Sequence, residues 1–308
     1  MKVTRFCPAK INLFLEVTGK LPNGYHELAT LFAKINLGDT LCVEAVPAAQ
    51  TRITLTQTGP VGKWVQADQT NLVWRAAQAF LDFFNMQAHI HLSLEKNTPT
   101  GAGLGGGSSD AAGTLLALCE IFKKDKNQLL ATAAKLGADV PLFMYEDTFL
   151  KGEGIGEKLT PIPYRGPLPY VVLIYPRLAL PTKGIFARLK LPTPKEVLTR
   201  LTQLNKIIEN LQQGAPLPQY KQLLFNRLEE SVVPFERAVR ETLIDLEKTG
   251  SGLYRMSGSG STLFVLVGNE KEAQGLVTAL SRPERNIYVT TFQENHHANN
   301  GNQNTSDE

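Results

Sequence analysis

One run of this chain has a composition that demands a physical reason. It reads Pro99-Thr100-Gly101-Ala102-Gly103-Leu104-Gly105-Gly106-Gly107-Ser108-Ser109-Asp110, and five of the seven residues from 101 to 107 are glycine. Ordering such a run loses much backbone entropy, so a fold keeps it where side chains must be excluded. An alternating apolar stretch precedes it and an apolar helical stretch follows, so the glycines open a helix. A helix N-terminus carries roughly half a positive charge and unpaired N–H groups. Glycines let a phosphate approach those donors closely, and Ser108 and Ser109 add hydroxyls. The chemistry indicated is a cradle for a di- or triphosphate.

Other readings of the loop fit less well. Gly101-x-Gly103-x-x-Gly106 has the form of a dinucleotide fingerprint, but residues 96–100 separate it from its strand. Residues 127–136 then read as a helix, where that fold needs a strand ending in an acid. No Gly-x4-Gly-Lys-[Ser/Thr] occurs, which excludes a P-loop, and the protein-kinase motifs are absent. A flexible linker would not sit tightly between a periodic strand and an apolar helix.

The other chemistry-bearing residues are ambiguous when taken alone. Lys10 and Asp139 read as a structural ion pair between solvated element ends. Tyr25 and His26 follow a Pro22-Asn23-Gly24 turn and read as a packed aromatic and a hydrogen-bonded imidazole. Asn71 reads as a helix cap, Lys96 as a strand-end lysine, and Thr182 as a turn hydroxyl. Glu153 and Glu157 read as turn or surface residues. The run Ser257-Gly258-Ser259-Gly260-Ser261 is either a hairpin connection or a turn whose glycines bring a backbone close to the phosphates.

Elements must hold these residues. Ile11, Leu13, Leu15 and Val17 alternate with Asn12, Phe14, Glu16 and Thr18, the pattern of a half-buried strand. Shorter strands are expected over 28–37, 40–45 and 53–57. Leu72, Ala76, Phe80 and Phe84 recur every four residues, an amphipathic helix with Asp68 and Thr70 as capping candidates. Ile90, Leu92 and Leu94 mark the strand before the glycine loop, and the helix after it is expected over 109–122. A second helix over 127–136 ends at Gly137, and 140–145 reads as an apolar strand. Four prolines and a glycine within 161–169 place a domain boundary there. Residues 1–162 and 163–293 are thus expected as two domains. The second begins with a strand over 170–175 and continues with helices inside 195–248. Two strands then flank a turn near Gly258, and a helix over 271–280 and a strand over 287–292 follow. Strands and helices mix without strict alternation, which is α+β. Residues 294–308 are polar and aperiodic and read as a disordered tail, with His296 and His297 solvated in it.

Composition narrows the class. The chain has 308 residues with 43% hydrophobic and 20% charged, an ordinary globular balance. Its net charge of +3 is too small to argue for nucleic acid or an acidic membrane as partner. Cys7, Cys42 and Cys119 are too scattered for a disulfide framework or a zinc site and read as free thiols in a reducing compartment. No run approaches 18 apolar residues, and residues 1–10 lack the apolar core of a signal peptide. A cytoplasmic protein without membrane or nucleic-acid partner is expected.

The glycine loop resembles the ATP-binding motif of the GHMP kinase superfamily. The blocks Pro8-Ala9-Lys10-Ile11-Asn12-Leu13 and Pro22-Asn23-Gly24-Tyr25-His26-Glu27-Leu28 resemble one branch of it, which acts on a cytidine diphosphate-linked methylerythritol. Gly137-Ala138-Asp139-Val140-Pro141, Glu153-Gly154-Ile155-Gly156-Glu157, Pro181-Thr182 and the 257–261 run follow in that branch's order, so the resemblance spans about residues 5–267. It implies a two-domain α+β GHMP kinase fold, with an N-terminal ribosomal-S5-like ATP domain and a C-terminal ferredoxin-like domain. It also implies transfer of a phosphoryl group from ATP, with Mg²⁺, to the 2-hydroxyl of the methylerythritol in the non-mevalonate isoprenoid precursor pathway. By resemblance Lys10 and Asp139 are the catalytic pair. Asn12, Tyr25, His26, Thr182 and Phe186 fall at substrate positions, Asn71, Leu72 and Lys96 near the adenine, and residues 99–109 around the phosphates. A cytosine offers a face for Tyr25 to stack on, with Phe186 as a second wall, and an edge for a neutral His26. No acidic cluster marks a metal site, so the Mg²⁺ ligands stay unassigned beyond Ser109 as a candidate. The enzyme would be a monomer or homodimer with a small-molecule substrate.

Two rival readings remain: a GHMP kinase of the homoserine or mevalonate type, and a non-catalytic nucleotide- or RNA-binding module. The Tyr25-His26 block argues against the first; the second has no need of Lys10 or Asp139. One departure from the family pattern is Arg227 in Asn226-Arg227-Leu228-Glu229, where an Asp often follows the Asn.

Overall fold

The structure, a computed structural model, describes residues 1–62 and 65–294. The expected tail therefore lies outside the described residues except for Glu294, and the reading of His296 and His297 with it.

Two long strands dominate the first half. β1 (Lys2–Lys20) and β2 (His26–Pro47) run antiparallel from Lys2 opposite Glu44 to Lys20 opposite His26, with three irregularities in register. The stretches over 28–37 and 40–45 are thus one strand. β3 (Arg52–Thr58), α1 (Leu72–Phe84) and β4 (Ala88–Glu95) follow, and β4 pairs antiparallel with β2 and parallel with β3. Next come α2 (Gly106–Phe122), α3 (Leu130–Leu136), β5 (Phe149–Gly154) and β6 (Lys158–Pro161), with β5 on the other end of β2. Phe80 and Leu81 of α1 and Leu115 and Leu118 of α2 share a core with Leu41, Val43 and Leu92 of the sheet.

Residues 140–145 are not a strand. Pro141–Met144 forms a 3₁₀ turn with proline at its start, and Val140, Leu142, Phe143 and Met144 pack into the same core. A buried apolar run has no period to distinguish strand from helix, and a proline at the first position favours the helical turn. α2 starts at Gly106 rather than residue 109, so part of the glycine run is helical. The 127–136 helix is a 3₁₀ turn, Lys126–Leu129, running into α3.

The second half contributes β7 (Tyr170–Tyr175), α4 (Thr182–Arg188), α5 (Pro194–Gln213), β8 (Phe225–Asn226), α6 (Glu229–Val232), α7 (Arg237–Lys248), β9 (Tyr254–Met256), β10 (Leu263–Val267), α8 (Glu270–Leu280) and β11 (Asn286–Thr291). Among the described residues β7, β9, β10 and β11 form an antiparallel sheet of order β11-β7-β10-β9. Numbered along the chain that order is 4-1-3-2, the ferredoxin-like arrangement expected from the resemblance.

The two halves interlock along β1. β8 pairs parallel with β1 at Phe14 and Leu15, and Ala9, Ile11, Leu13 and Phe14 share a core with Leu204, Ile207 and Leu211 of α5 and Leu173 and Phe264 of the second sheet. β1 is consequently buried on both faces from Ala9 to Val17, and its polar members Asn12 and Glu16 are buried too. The alternation suggested one wet face; the second half covers it. Cys7 and Cys119 are buried and Cys42 half-buried, all as free thiols. No helix among the described residues is long and apolar enough to cross a membrane.

Candidate active site

A cleft of about 1020 Å³ opens between the halves, floored by β1 and β2 and rimmed by the glycine loop. Side chains two apart on a strand share a face, and Lys10 and Asn12 of β1 both face this cleft. The Lys10 ammonium donates to Asn12 Oδ1 at 2.9 Å and lies 3.4 Å from Asp139 Oδ2. It also sits 5.5 Å from the centroid of the Phe32 ring, within cation–π range. Asn12 Nδ2 donates to Thr30 Oγ1 at 2.9 Å, and Thr30 donates in turn to the Phe14 carbonyl at 2.6 Å. Asn12, expected at the substrate, is therefore committed to orienting Lys10. Asp139 lies two residues beyond Gly137, the residue that caps α3, and is 32% exposed toward the cleft while Lys10 is 5% exposed. An alcohol entering the cleft can reach the carboxylate more easily than the ammonium.

The glycine loop is anchored from both halves. Lys10 N donates to the Leu104 carbonyl at 2.9 Å, Leu180 N to Gly101, and Ser257 Oγ to Gly103 at 2.9 Å. Gly103 has φ +77°, and a β-carbon there would stand 2.1 Å from the Ser257 carbonyl oxygen. No side chain fits, so the turn at 257–261 packs directly on the loop. Pro99 to Gly103, Gly105 to Gly107 and Ser108 line the cleft. Leu104 and Ser109 do not: Leu104 is part of the core between the halves, and the Ser109 hydroxyl is buried and without a partner. Of the two serines expected at the phosphates, Ser108 is the one that faces the cleft.

Two of the residues expected near the adenine are held by bonds within the protein. Asn71 is the N-cap of α1. Its Oδ1 accepts from Val73 N at 2.9 Å and its Nδ2 donates to the Gln66 carbonyl at 2.8 Å, so each end of the amide already carries one bond, and Asn71 does not line the cleft. The caps read upstream are not used; Asp68 instead closes a local turn onto Thr70. Lys96 borders the cleft but is 2% exposed, its ammonium held by Asp39 at 2.5 Å and Asp110 at 2.7 Å. Asp39 also accepts from the N–H groups of Asn97 and Thr98. Burial opposes the Lys96 charge, yet the contacts with Asp39 and Asp110 outweigh it and raise its pKa. Burial pushes Asp110 up to about 8. Asp110 therefore holds a proton at neutral pH, and the three groups sum to no net charge. This buried set fixes the entry to the glycine loop and the first turn of α2. Leu72 does line the cleft.

At the far end, His26 stacks on Phe186 with ring centroids 5.1 Å apart and planes at 29°. Burial, with the nearby Lys20 charge added, holds the His26 imidazole below its ordinary value of 6.5. Tyr25 is 59% exposed beside it, on a turn in which its own N–H donates to Asn23 Oδ1. Thr182 shares a hydrogen bond of 2.9 Å with Ser259 Oγ. Sequence reasoning missed Thr30, Lys20 and Lys183, which line the cleft together with Gly258 and Ser259 of the 257–261 run. Glu153 and Glu157 do not line it; the first pairs with Lys151 and the second accepts from Ile155 N.

Among the described residues no group of three or more His, Cys, Asp or Glu could hold a metal ion. The oxygen donors that the cleft offers beside the glycine loop include Ser108 and Asp139, and the Ser108 hydroxyl lies next to the Gly137 turn that precedes Asp139. Mg²⁺ usually keeps several waters and binds through substrate phosphates plus one or two protein oxygens, which this donor set suits.

Comparisons with known proteins identify the family and the fold. The family model for the GHMP kinases N terminal domain matches residues 71–147, and that for the GHMP kinases C terminal matches 200–286. A 4-diphosphocytidyl-2-C-methyl-D-erythritol kinase of Lachnoclostridium phytofermentans is 35% identical over 268 residues, covering 86% of this chain and 88% of its own. A crystal structure of 4-(cytidine 5'-diphospho)-2C-methyl-D-erythritol kinase superposes with TM-score 0.72 at 32% identity over 95% of this chain and 100% of that one. The homoserine kinase of Cytophaga hutchinsonii superposes with TM-score 0.76 over 96% of each chain, but at 16% identity it shares the fold alone.

Proposed function

The chain belongs to the GHMP kinases, in the branch of the 4-diphosphocytidyl-2-C-methyl-D-erythritol kinases, and from that premise we propose how its cleft moves a phosphoryl group from ATP to the 2-hydroxyl of that cytidyl alcohol. The observation that carries the mechanism is the Lys10–Asp139 contact of 3.4 Å at the mouth of the glycine loop. Phosphoryl transfer needs alignment and charge stabilisation more than covalent help. The N–H groups of the loop and of the first turn of α2 face the phosphates. Asp139 accepts the proton of the 2-hydroxyl as its oxygen bonds to the γ-phosphorus. The bond from that phosphorus to the β–γ bridging oxygen breaks, and ADP leaves. Lys10, steered by Asn12 and Thr30, faces the reacting oxygens with its positive charge. When bound, Mg²⁺ would neutralise charge on the β- and γ-phosphates, and Ser108 is the protein oxygen placed to hold it, which leaves Asp139 for the alcohol.

The His26–Phe186 stack favours a planar base over the small aliphatic acids of the rival kinases. Tyr25 is placed to cover the same ring, and Lys20 and Lys183 present positive charge to the substrate's diphosphate. The proposed domain limit near residue 162 falls between β6 and β7, with β8 at 225–226 crossing back to pair with β1 of the sheet that carries Lys10. The absence of a nucleic-acid partner and a cytoplasmic location belong to the same reading.

ADP release with the cytidyl alcohol, homoserine and mevalonate as competing acceptors tests the assignment. Turnover is expected with the first alone; a preference for either of the others would refute it. Gly103→Ala is expected to raise KM for ATP at least tenfold, because the added carbon meets the Ser257 carbonyl and the left-handed backbone. Steady-state kinetics at saturating alcohol check this. Because His26 is neutral at pH 7, KM for the cytidyl alcohol is expected to stay flat above about pH 6.5. It should rise below, as an imidazolium forms beside Lys20. A KM that falls on acidification would contradict the neutral role.

A further inference from the structure

Residues 225–229 cross from β1 to the 257–261 turn behind the cleft, which only Leu228 of the segment lines. Arg227 N donates to the Leu15 carbonyl at 2.8 Å, and the Arg227 guanidinium makes a paired contact with the buried Glu16 carboxylate at 2.8 and 2.7 Å. These bonds tie the segment to the strand that carries Lys10 and Asn12. On its other side Asn226 Nδ2 donates to the carbonyls of Met256 at 2.7 Å and Gly258 at 2.8 Å, while its Oδ1 accepts from Leu228 N at 2.9 Å. Glu229 accepts from Met256 N at 2.8 Å. Asn226 is 2% exposed, and its own three bonds lie out of water. Gly258 in turn lies against the reacting end of the cleft. A β-carbon there would come within 3.3 Å of Lys10 Nζ, Asn12 Oδ1 and the Gly103 carbonyl.

We infer that Asn226 is a positioning residue for phosphoryl transfer. Its amide fixes the distance between the second half's turn, the glycine loop and Lys10, and so holds the phosphate cradle in register with the acceptor. The inference rests on the function proposed above. An amide is needed because one end must donate twice to carbonyls while the other accepts once. No other side chain of this size does both.

Asn226→Asp tests this, because it keeps the shape and the acceptor but turns a carboxylate toward two carbonyl oxygens. A buried carboxylate so placed has a raised pKa, and its protonated form regains one donor. Native turnover with ATP and the cytidyl alcohol is measured first, from pH 6 to 9; no turnover there would sink the proposed function itself. With native turnover in hand, Asn226→Asp is expected to lower kcat at least tenfold at pH 8. It should recover relative to the native enzyme at pH 6, with KM for the cytidyl alcohol changed less than twofold. Native-like kcat at pH 8 would overturn the inference. So would a loss that acid does not relieve, or a lowered melting temperature with unchanged kinetics. If the variant does not fold, Ser257→Ala, which cuts the turn's own bond to Gly103, carries the test. It is expected to raise KM for ATP severalfold at unchanged melting temperature, and unchanged KM would overturn the inference.

Discussion

Asp139→Asn is expected to bind ATP as the native chain does and to lose turnover by roughly 10²–10⁴-fold, the range for removal of a positioned acid or base. The amide keeps the size of the carboxylate and an oxygen that the Lys10 ammonium can approach. What it cannot do is take the proton of the attacking alcohol. Lys10 would stay oriented through Asn12 and Thr30, so the loop and cradle should not shift. Calorimetric titration with ATP and single-turnover kinetics separate the two effects. Unchanged ATP affinity with lost turnover is expected. Native turnover would remove Asp139 from the mechanism, and lost ATP affinity would make it a structural partner of Lys10.

The second large effect is on stability. Asp39→Ala should cost about 3–5 kcal/mol, because it strands the buried Lys96 ammonium beside a single, protonated neighbour and leaves the Asn97 and Thr98 N–H groups unpaired. For a chain of this length that corresponds to a drop of roughly 10 °C in melting temperature. Asp110→Asn should cost less than about 1 kcal/mol, since an amide resembles the carboxyl that Asp110 carries while its pKa is about 8. The sign of the pH dependence follows. With its value raised from 3.8 to about 8, Asp110 contributes fully below pH 3.8, and the contribution is lost progressively as pH rises toward 8. Urea unfolding between pH 5 and 9 should show that decline in the native chain and not in Asp110→Asn. Equal costs for the two variants would contradict the assignment of the proton to Asp110.

The sequence carried the loop further than it carried the residues around it. Glycine in such density has few physical explanations, and the helix after the run was legible from Leu115, Leu118 and their neighbours. Asn71 was legible as a cap because capping is local, and the resemblance drew it toward the adenine against that reading. Lys96 could not be read, since nothing near it in sequence announces that Asp39, 57 residues away, and Asp110 close around it. Thr30 and Asn226 were hidden for a similar reason. A polar residue inside an apolar strand, or beside one, looks solvated until a second half of the chain is known to cover it. The expected strand over 140–145 failed because a buried apolar stretch carries no period, and the proline at 141 was the one local sign of a turn. Arg227 was visible as a departure, and only the fold pairs it with Glu16.

Phosphorus NMR of the product made from ATP and 4-diphosphocytidyl-2-C-methyl-D-erythritol is the most direct test of the whole account. One new phosphomonoester resonance, coupled to the tertiary carbon through the 2-hydroxyl oxygen and accompanied by ADP and an intact cytidyl diphosphate, is the expected spectrum. A phosphate on another hydroxyl, or inorganic phosphate from ATP with the alcohol unchanged, would contradict it.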